Sequence, residues 1–304
     1  MTTVAPVTVV VVGYNHARFV TECLDSIRGQ TVAPAQVLVA DDASPDDSDS
    51  VIYAYLDRHP GFAEYLPNPV NRGLTRTLNS LLRKVRTEYV TYIAADDFML
   101  PHRIERHLAL MAGGDLALGY SDALVVDENS DLLFDSSKVE FPWPDEPARS
   151  EDTMGQLLFR NWIPAASFFI RTDVLVRSGG YCESLFYEDY ELLVRLARDF
   201  RFGYVEEPLV AVRRVSTSLG SVGFRAENPQ FIHAVDRALR HYTGVRPDLE
   251  REALARRWEL AKRAAPAGMG TRESIRMLLD SRRGASSMPA VAFHLARACL
   301  TGLA

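Results

Sequence analysis

Residues 7–12 read Val-Thr-Val-Val-Val-Val, an apolar, β-branched run with no charged residue. A strand with one face in water alternates apolar and polar residues, and this run does not alternate. It therefore predicts a strand buried on both faces, the kind found inside parallel sheets covered by helices. It is too short for a signal peptide or a membrane span. Gly13-Tyr14-Asn15 ends it, and Phe19, Val20, Cys23, Leu24 and Ile27 then recur at helical spacing up to Gly29. A second short strand, Val37 to Ala40, runs into Asp41-Asp42-Ala43-Ser44-Pro45-Asp46-Asp47. A third, Tyr89 to Ala94, runs into Ala95-Asp96-Asp97. Helical patterns carrying Ile52 and Tyr55, then Leu74, Leu78 and Leu81, lie between them, and Ile104, Leu108 and Met111 follow Pro101. Strand and helix thus alternate over 1–111, which predicts an α/β fold with an open, largely parallel sheet.

The pattern changes after about residue 115. Leu116 to Val126 predicts one or two strands, Ala165 to Ile170 another, and Phe202 to Val212 a further one. Tyr187 to Phe200 is helical. From Arg225 the chain reads as helices broken near Pro266-Ala267-Gly268 and Gly284-Ala285.

In open α/β sheets, ligands bind beyond the carboxyl ends of the strands. Asp41-Asp42 and Asp96-Asp97 both stand at such ends, with the Gly13-Tyr14-Asn15 turn beside them. Neighbouring carboxylates raise each other's pKa unless a positive charge relieves them, and Mg²⁺ or Mn²⁺ with phosphate oxygens suits that role. Turn and helix-cap chemistry accounts for one such cluster; two at adjacent strand ends favour a ligand site. Glu188-Asp189 opens a helix, where acids offset the dipole or, in a cleft, serve as a general base.

Five stretches then carry a resemblance: VTVVVVGYNHARFVTECLDSIRGQT (7–31), VLVADDASPDDS (37–48), NRGLTRTLNSLL (71–82), EYVTYIAADDFMLPHRI (88–104) and SGGYCESLFYEDYELLVRL (178–196). In this order the chain resembles a family 2 glycosyltransferase of the GT-A fold, over roughly 7–218. The resemblance implies a GT-A-type nucleotide-binding mixed sheet flanked by helices, with a nucleotide-sugar half (1–111) and an acceptor half of the same domain (112–224). It leaves 225–304 unexplained, and the residues there read as a basic, C-terminal helical appendage. It places Tyr14 against the nucleobase and makes Asp42 an acceptor from base or ribose, favouring a UDP-linked donor. Arg76 approaches the nucleotide. Asp96 and Asp97 form the D-x-D-like pair: Asp96 towards the ribose, and Asp97, with Asp96 beside it, holding a divalent Mn²⁺ or Mg²⁺ on the diphosphate. Asp189, beside Glu188, is the catalytic base of a single in-line displacement that inverts the anomeric carbon. Acceptor-side candidates are Trp162, whose indole suits a sugar or aglycone but equally a core, and Ser167.

One departure stands out. Relatives carry Tyr-Arg-x-His after the helix, and the run here is Val212-Arg213-Arg214-Val215. The His that can complete the metal site is absent, which implies weaker metal binding or a diphosphate steadied by Arg213 or Arg214, though these arginines equally suit a solvated strand end. His16 reads as a helix-start residue beside the first turn.

Rival readings are weaker. Gly13-Tyr14-Asn15-His16-Ala17 lacks the G-x-G-x-x-G of a dinucleotide site. A phospho-receiver shares strand-end acids, but Lys138 is followed by Val139 where Lys-Pro belongs. A protein that binds sugar nucleotides without turnover is the remaining alternative. The 304 residues, 47% hydrophobic and 24% charged, exclude a disordered or fibrous chain. The three cysteines are far apart and odd in number. They argue against a disulfide or zinc scaffold and for packing roles in a reducing, cytoplasmic setting.

Residues 225–304 carry 14 Lys+Arg against 8 Asp+Glu, and 1–224 carry 20 against 32. The acidic part excludes nucleic acid as a partner. The basic part leaves a solvated helical surface, a second copy of the chain, or a peripheral contact with the inner face of a membrane. Sugar and acceptor are open: polysaccharide, lipid-linked glycan, protein and small natural product all fit.

Overall fold

The computed structural model describes residues 4–145, 151–215 and 227–301. Its contacts divide the chain into two compact units. The first spans residues 1–153, 161–183 and 200–215, and contains every strand among the described residues.

In this unit β1 (Val4–Gly13) pairs in parallel with β2 (Ala33–Asp41) on one side and β4 (Tyr89–Ala94) on the other. The short β3 (Glu64–Tyr65) extends β2. The rest of the sheet turns mixed. β8 (Phe169–Arg171) runs antiparallel to both β4 and β6 (Leu116–Val126), and β6 runs parallel to β9 (Arg201–Arg213). β5 (Phe98–Met99) pairs with β9, and β7 (Leu132–Phe134) with β6. The spatial order is β3-β2-β1-β4-β8-β6-β9-β5. The valine run is buried on both faces as expected: Val7, Val9 and Val11 are fully inaccessible, and Val10 and Val12 nearly so. Helices α1 (Val20–Arg28), α2 (Ser48–Arg58), α3 (Leu74–Leu82), α4 (Arg103–Met111) and α6 (Thr172–Arg177) belong to this unit.

Leu116 to Val126 is one strand, with register shifts around Asp122. Pro208 stands opposite Asp122, and a proline cannot donate to the ladder. The Asp122 carboxylate accepts from Ser136 Oγ (2.6 Å), Ser137 N (3.0 Å) and Ser137 Oγ (2.7 Å), which anchors the segment after β7. The strand expected from Ala165 starts only at Phe169. Residues Ala165–Ser167 form a 3-10 turn instead, because Ser167 folds both its amide (2.9 Å) and its hydroxyl (2.7 Å) back onto the Pro164 carbonyl.

The second unit, residues 154–160, 184–199 and 216–304, is helical throughout its described part. It comprises most of α5 (Thr153–Phe159), then α7 (Glu188–Ala197), α8 (Pro229–Leu239), α9 (Pro247–Ala264), α10 (Thr271–Ser281) and α11 (Met288–Thr301). Helix α7 thus groups by contacts with the C-terminal helices rather than with the sheet. Two buried tyrosines fasten it internally: Tyr190 donates to the Leu157 carbonyl (2.7 Å) and Tyr242 to that of Met154 (2.8 Å). Buried Glu191 accepts from Arg195 (3.0 Å) and pairs with His241 Nε2 (2.7 Å). No helix among the described residues is long and apolar enough to cross a membrane.

Phe169 lies at the centre of the first unit's core, its ring 5.2 Å from Tyr89 and stacked 5.1 Å from His107. Phe169→Ala should therefore destabilise this unit by about 3–5 kcal/mol, read as a lower urea midpoint in equilibrium unfolding.

Candidate functional site

Three parallel strands bring the acidic turns to one edge. Gly13 stands opposite Asp41, and Val12 opposite Ala94. Asp42 N donates to the Gly13 carbonyl (2.9 Å), and Ala95 N to that of Val12 (3.0 Å). A Cβ on Gly13 would meet the Ala95 Cβ at 3.1 Å, so a side chain there would force the strand ends apart.

The loop after β1 is held by the loop after β2. Three successive amides donate across: Asn15 N to Ser44 Oγ (2.9 Å), His16 N to Ser48 Oγ (3.0 Å) and Ala17 N to Asp46 Oδ2 (3.1 Å). Asn15 (φ 62°) and Ala43 (φ 58°) are left-handed. For alanine this costs about 1–2 kcal/mol, strain of a kind that gathers at functional sites. Asp46 also accepts from Ser48. Burial works against its charge, but the Ser48 hydroxyl and the Ala17 and Ser48 amides hold its carboxyl below the usual range. Ser44, Asp46 and Ser48 were not singled out from sequence. Their signal was the density of Ser and Asp in a segment with too many polar groups for one turn.

Of the nucleotide candidates, Tyr14 projects from this loop, 43% exposed. Asp42 is buried, and its carboxylate accepts from Asn68 Nδ2 (2.7 Å), Arg72 N (2.9 Å), Gly73 N (2.8 Å) and Thr77 Oγ1 (3.1 Å). It fixes the turn into α3, where Gly73 has φ 82°. Arg76 lies on the exposed side of α3, 3.6 Å from Glu183. His16 does not begin α1, which starts at Val20, but stands in the turn before it, where its carbonyl accepts from Phe19 N and Val20 N. Its ring also faces the site, with Nε2 3.6 Å from Asp96 Oδ2.

The Asp96–Asp97 pair sits at the end of β4. Burial, and then the charge of Asp96, push the Asp97 carboxyl well above the ordinary carboxylate range. Opposing this, Arg213 N donates to Asp97 Oδ1 (2.8 Å). The buried Arg213 guanidinium is committed to the protein. Nε donates to the Asp96 carbonyl (2.7 Å), Nη1 to the Asp127 carbonyl and Ser130 Oγ (both 2.9 Å), and Nη2 to Glu22 (2.5 Å). Arg214 pairs with Glu140. Arg213 is thus a buttress of the acidic pair. The paired carboxylates supply hard oxygen donors, and a cation there would offset what burial imposes on Asp97, so the residues present fit Mg²⁺ or Mn²⁺. Such ions take one or two carboxylates and fill the remaining positions with water and phosphate oxygens. Among the described residues no third His, Cys, Asp or Glu joins the pair.

In the helical unit, Glu188 and Asp189 open α7. Burial pushes both carboxyls up, Asp189 to about 6, and Glu188 to about 8 with the Asp189 charge adding to the rise. The two neighbouring carboxyls therefore hold a proton more readily than isolated ones do.

The acceptor candidates lie elsewhere than at a surface. Trp162 is fully buried, its indole donating to Tyr120 Oη (3.3 Å), and Ser167 is fully buried with its hydroxyl on the Pro164 carbonyl. Neither presents an atom to a ligand in this conformation. Of the cysteines, Cys23 is packed in the core and Cys182 is partly covered, but Cys299 is exposed, contrary to the packing role expected of all three.

The model of the glycosyl transferase family 2 domain matches residues 8–168. An uncharacterized glycosyltransferase of Rickettsia typhi is 24% identical over 212 residues, 68% of this chain. The chain spans only 63% of that relative's length. Among solved structures, S. aureus TarS in complex with UDP-GlcNAc superposes with a TM-score of 0.68 at 14% identity, covering 97% of this chain and 89% of that one. The mannosyltransferase PcManGT from Pyrobaculum calidifontis, in complex with GDP-Man and Mn²⁺, superposes with a TM-score of 0.62 at 18% identity, covering 97% and 80%. These likenesses establish the fold, a GT-A sheet flanked by helices with helices at the C-terminus. With more than half of its length matched by the family model, the chain belongs to glycosyl transferase family 2.

Proposed function

We propose that this chain transfers a sugar from a nucleotide diphosphate donor, UDP-linked, to an acceptor hydroxyl with inversion at the anomeric carbon. The observation that carries the reading is the Asp96–Asp97 pair at the end of β4, Asp97 buried and Asp96 partly exposed, beside the braced Tyr14 loop of β1 and the acidic loop of β2. Two solved relatives of the same fold hold UDP-GlcNAc or GDP-Man, one of them with Mn²⁺, which supports a sugar-nucleotide donor here.

In this reading Tyr14 lies against the base, Asp42 stiffens the wall beside the ribose, and Arg76 approaches the nucleotide from α3. Asp97, with Asp96, would hold Mg²⁺ or Mn²⁺. Bound there, the ion supplies charge neutralisation to the departing diphosphate. Arg213 holds the Asp97 carboxylate with its amide and the Asp96 main-chain carbonyl with its Nε. Asp189 accepts the proton of the acceptor hydroxyl as that oxygen bonds to the anomeric carbon and the bond to the diphosphate breaks. The transition state has oxocarbenium character, and no nucleophilic Ser or Cys is required. Glu188, buried beside Asp189, raises the proton affinity of the pair. The three cysteines, few and far apart in the sequence, support a cytoplasmic setting.

Calorimetry with UDP, GDP and ADP, with and without Mn²⁺, tests the donor site. UDP should bind preferentially and more tightly with metal, and Asp97→Ala should abolish the metal-dependent part. Selectivity for GDP would change the donor class, and no binding to any nucleotide would sink the reading.

Asp189→Asn should leave UDP binding unchanged and lower transfer by ~10²–10⁴-fold. Retention of more than about a tenth of the activity would contradict a general base worth that factor. The pH profile follows from the raised carboxyl. A base must be ionised, and with Asp189 held near 6 the rate should fall by about tenfold per unit below that pH, a limb read from initial rates between pH 4.5 and 8.

A further inference from the structure

The C-terminal helices carry groups that neither the donor site nor the base uses. In α10, Ser274, Met277, Leu278 and Ser281 are buried, the stripe of a helix packed on one side. The opposite stripe, at i, i+4 and i+7, is Arg272, Arg276 and Leu279, all exposed, Leu279 by 41%, and Arg283 is exposed in the 3-10 turn that follows, Arg282–Gly284. In α11, Val291 and Ala298 are buried while Met288 is 72% and Phe293 63% exposed. Residues 270–301 hold five arginines against Glu273 and Asp280, a net charge of +3.

Both acids are already engaged, Glu273 by His233 (2.7 Å) and Asp280 by Arg240 (3.5 Å). Arg276 makes no ion pair among the described residues. Neither does Arg237 of α8, and both line one cleft between α8 and α10. Beneath it, Arg257 is buried on Asp236 (2.9 Å) with its Nη2 lacking an acceptor. Positive charge here exceeds what the protein itself neutralises.

Single exposed Met and Phe side chains on a helix that follows an arginine-rich one differ from a protein-docking core, which is contiguous and depleted of charge. They suit the headgroup region of a bilayer, where apolar groups enter the acyl boundary and guanidinium groups meet lipid phosphates. We propose that the face formed by α10 and α11 docks peripherally on an anionic bilayer. Arg276 and Arg283, with Arg237 at the cleft, bind headgroup phosphates, and Met288 and Phe293 enter the interface. This stands independently of the chemistry assigned to the donor site.

The test is sedimentation of the full chain with vesicles of phosphatidylcholine, with and without phosphatidylglycerol. The wild type should pellet only with the anionic vesicles, and less as salt rises. An arginine near such a surface is worth roughly fivefold in affinity, so Arg276→Gln with Arg283→Gln should lose roughly thirtyfold. Met288→Ser with Phe293→Ser should lose at least about tenfold. All four positions are exposed, and an unchanged melting temperature confirms folding. The proposal fails if the wild type does not pellet, pellets equally with pure phosphatidylcholine, or is unaffected by either pair of substitutions. A wild-type dimer that the same substitutions convert to a monomer would assign this face to a second copy of the chain instead.

Discussion

A single buried guanidinium fastens the working edge of the sheet. Arg213, at the end of β9, reaches the carbonyl after β4, the Glu22 carboxylate of α1, and the Asp127 carbonyl and Ser130 hydroxyl of the β6–β7 turn. Its own amide meanwhile holds Asp97. It also lies over the Phe19 ring, 4.7 Å from its centroid. Burying a cation costs several kcal/mol, on that order, unless its donors are met. Here the planar fork of arginine meets four acceptors, which the point charge of a lysine does not reproduce. Four elements that are distant in sequence thus converge on one group, and the acidic pair stands against it.

The acids of this protein fall into two kinds. Asp42, Asp46 and Asp122 are surrounded by amides and hydroxyls, and they organise loops. Asp97, Glu188 and Asp189 are buried with less compensation, and their carboxyls rise. A carboxylate that folding leaves under-compensated is poised for a cation or a proton, and such groups gather at functional sites. The arginine of the buttress and the braced Tyr14 loop keep that poise from relaxing by movement.

Much of this was legible in the chain. The valine run, the strand-end acids and the helical spacings correctly anticipated β1, β2, β4 and α1 to α4, because each rests on a periodicity longer than a turn. Strands of two or three residues, β3, β5 and β7, carry no such signal. The Ala165–Ser167 turn was missed because one hydroxyl returning to one carbonyl outweighs a β-like composition. At the site, the positions of Asp96 and Asp97 followed from strand ends. The bracing role of Asp42 did not, since its partners Asn68, Arg72 and Thr77 come from a loop whose path no spacing reveals. No spacing decides whether Trp162 and Ser167 face a ligand or the core, and both are buried.

The sequence by itself determined the family, the alternation of strands and helices, and the edge of the sheet at which the acids gather. Those follow from short-range patterns and from the rule that parallel strands end together. Only the tertiary structure decided which acids are spent on scaffolding and which remain strained. It also decided that Arg213 serves the protein rather than standing free, and that α7 packs with the C-terminal helices. Each of these depends on desolvation and on hydrogen bonds between residues scores of positions apart, and no local pattern records them.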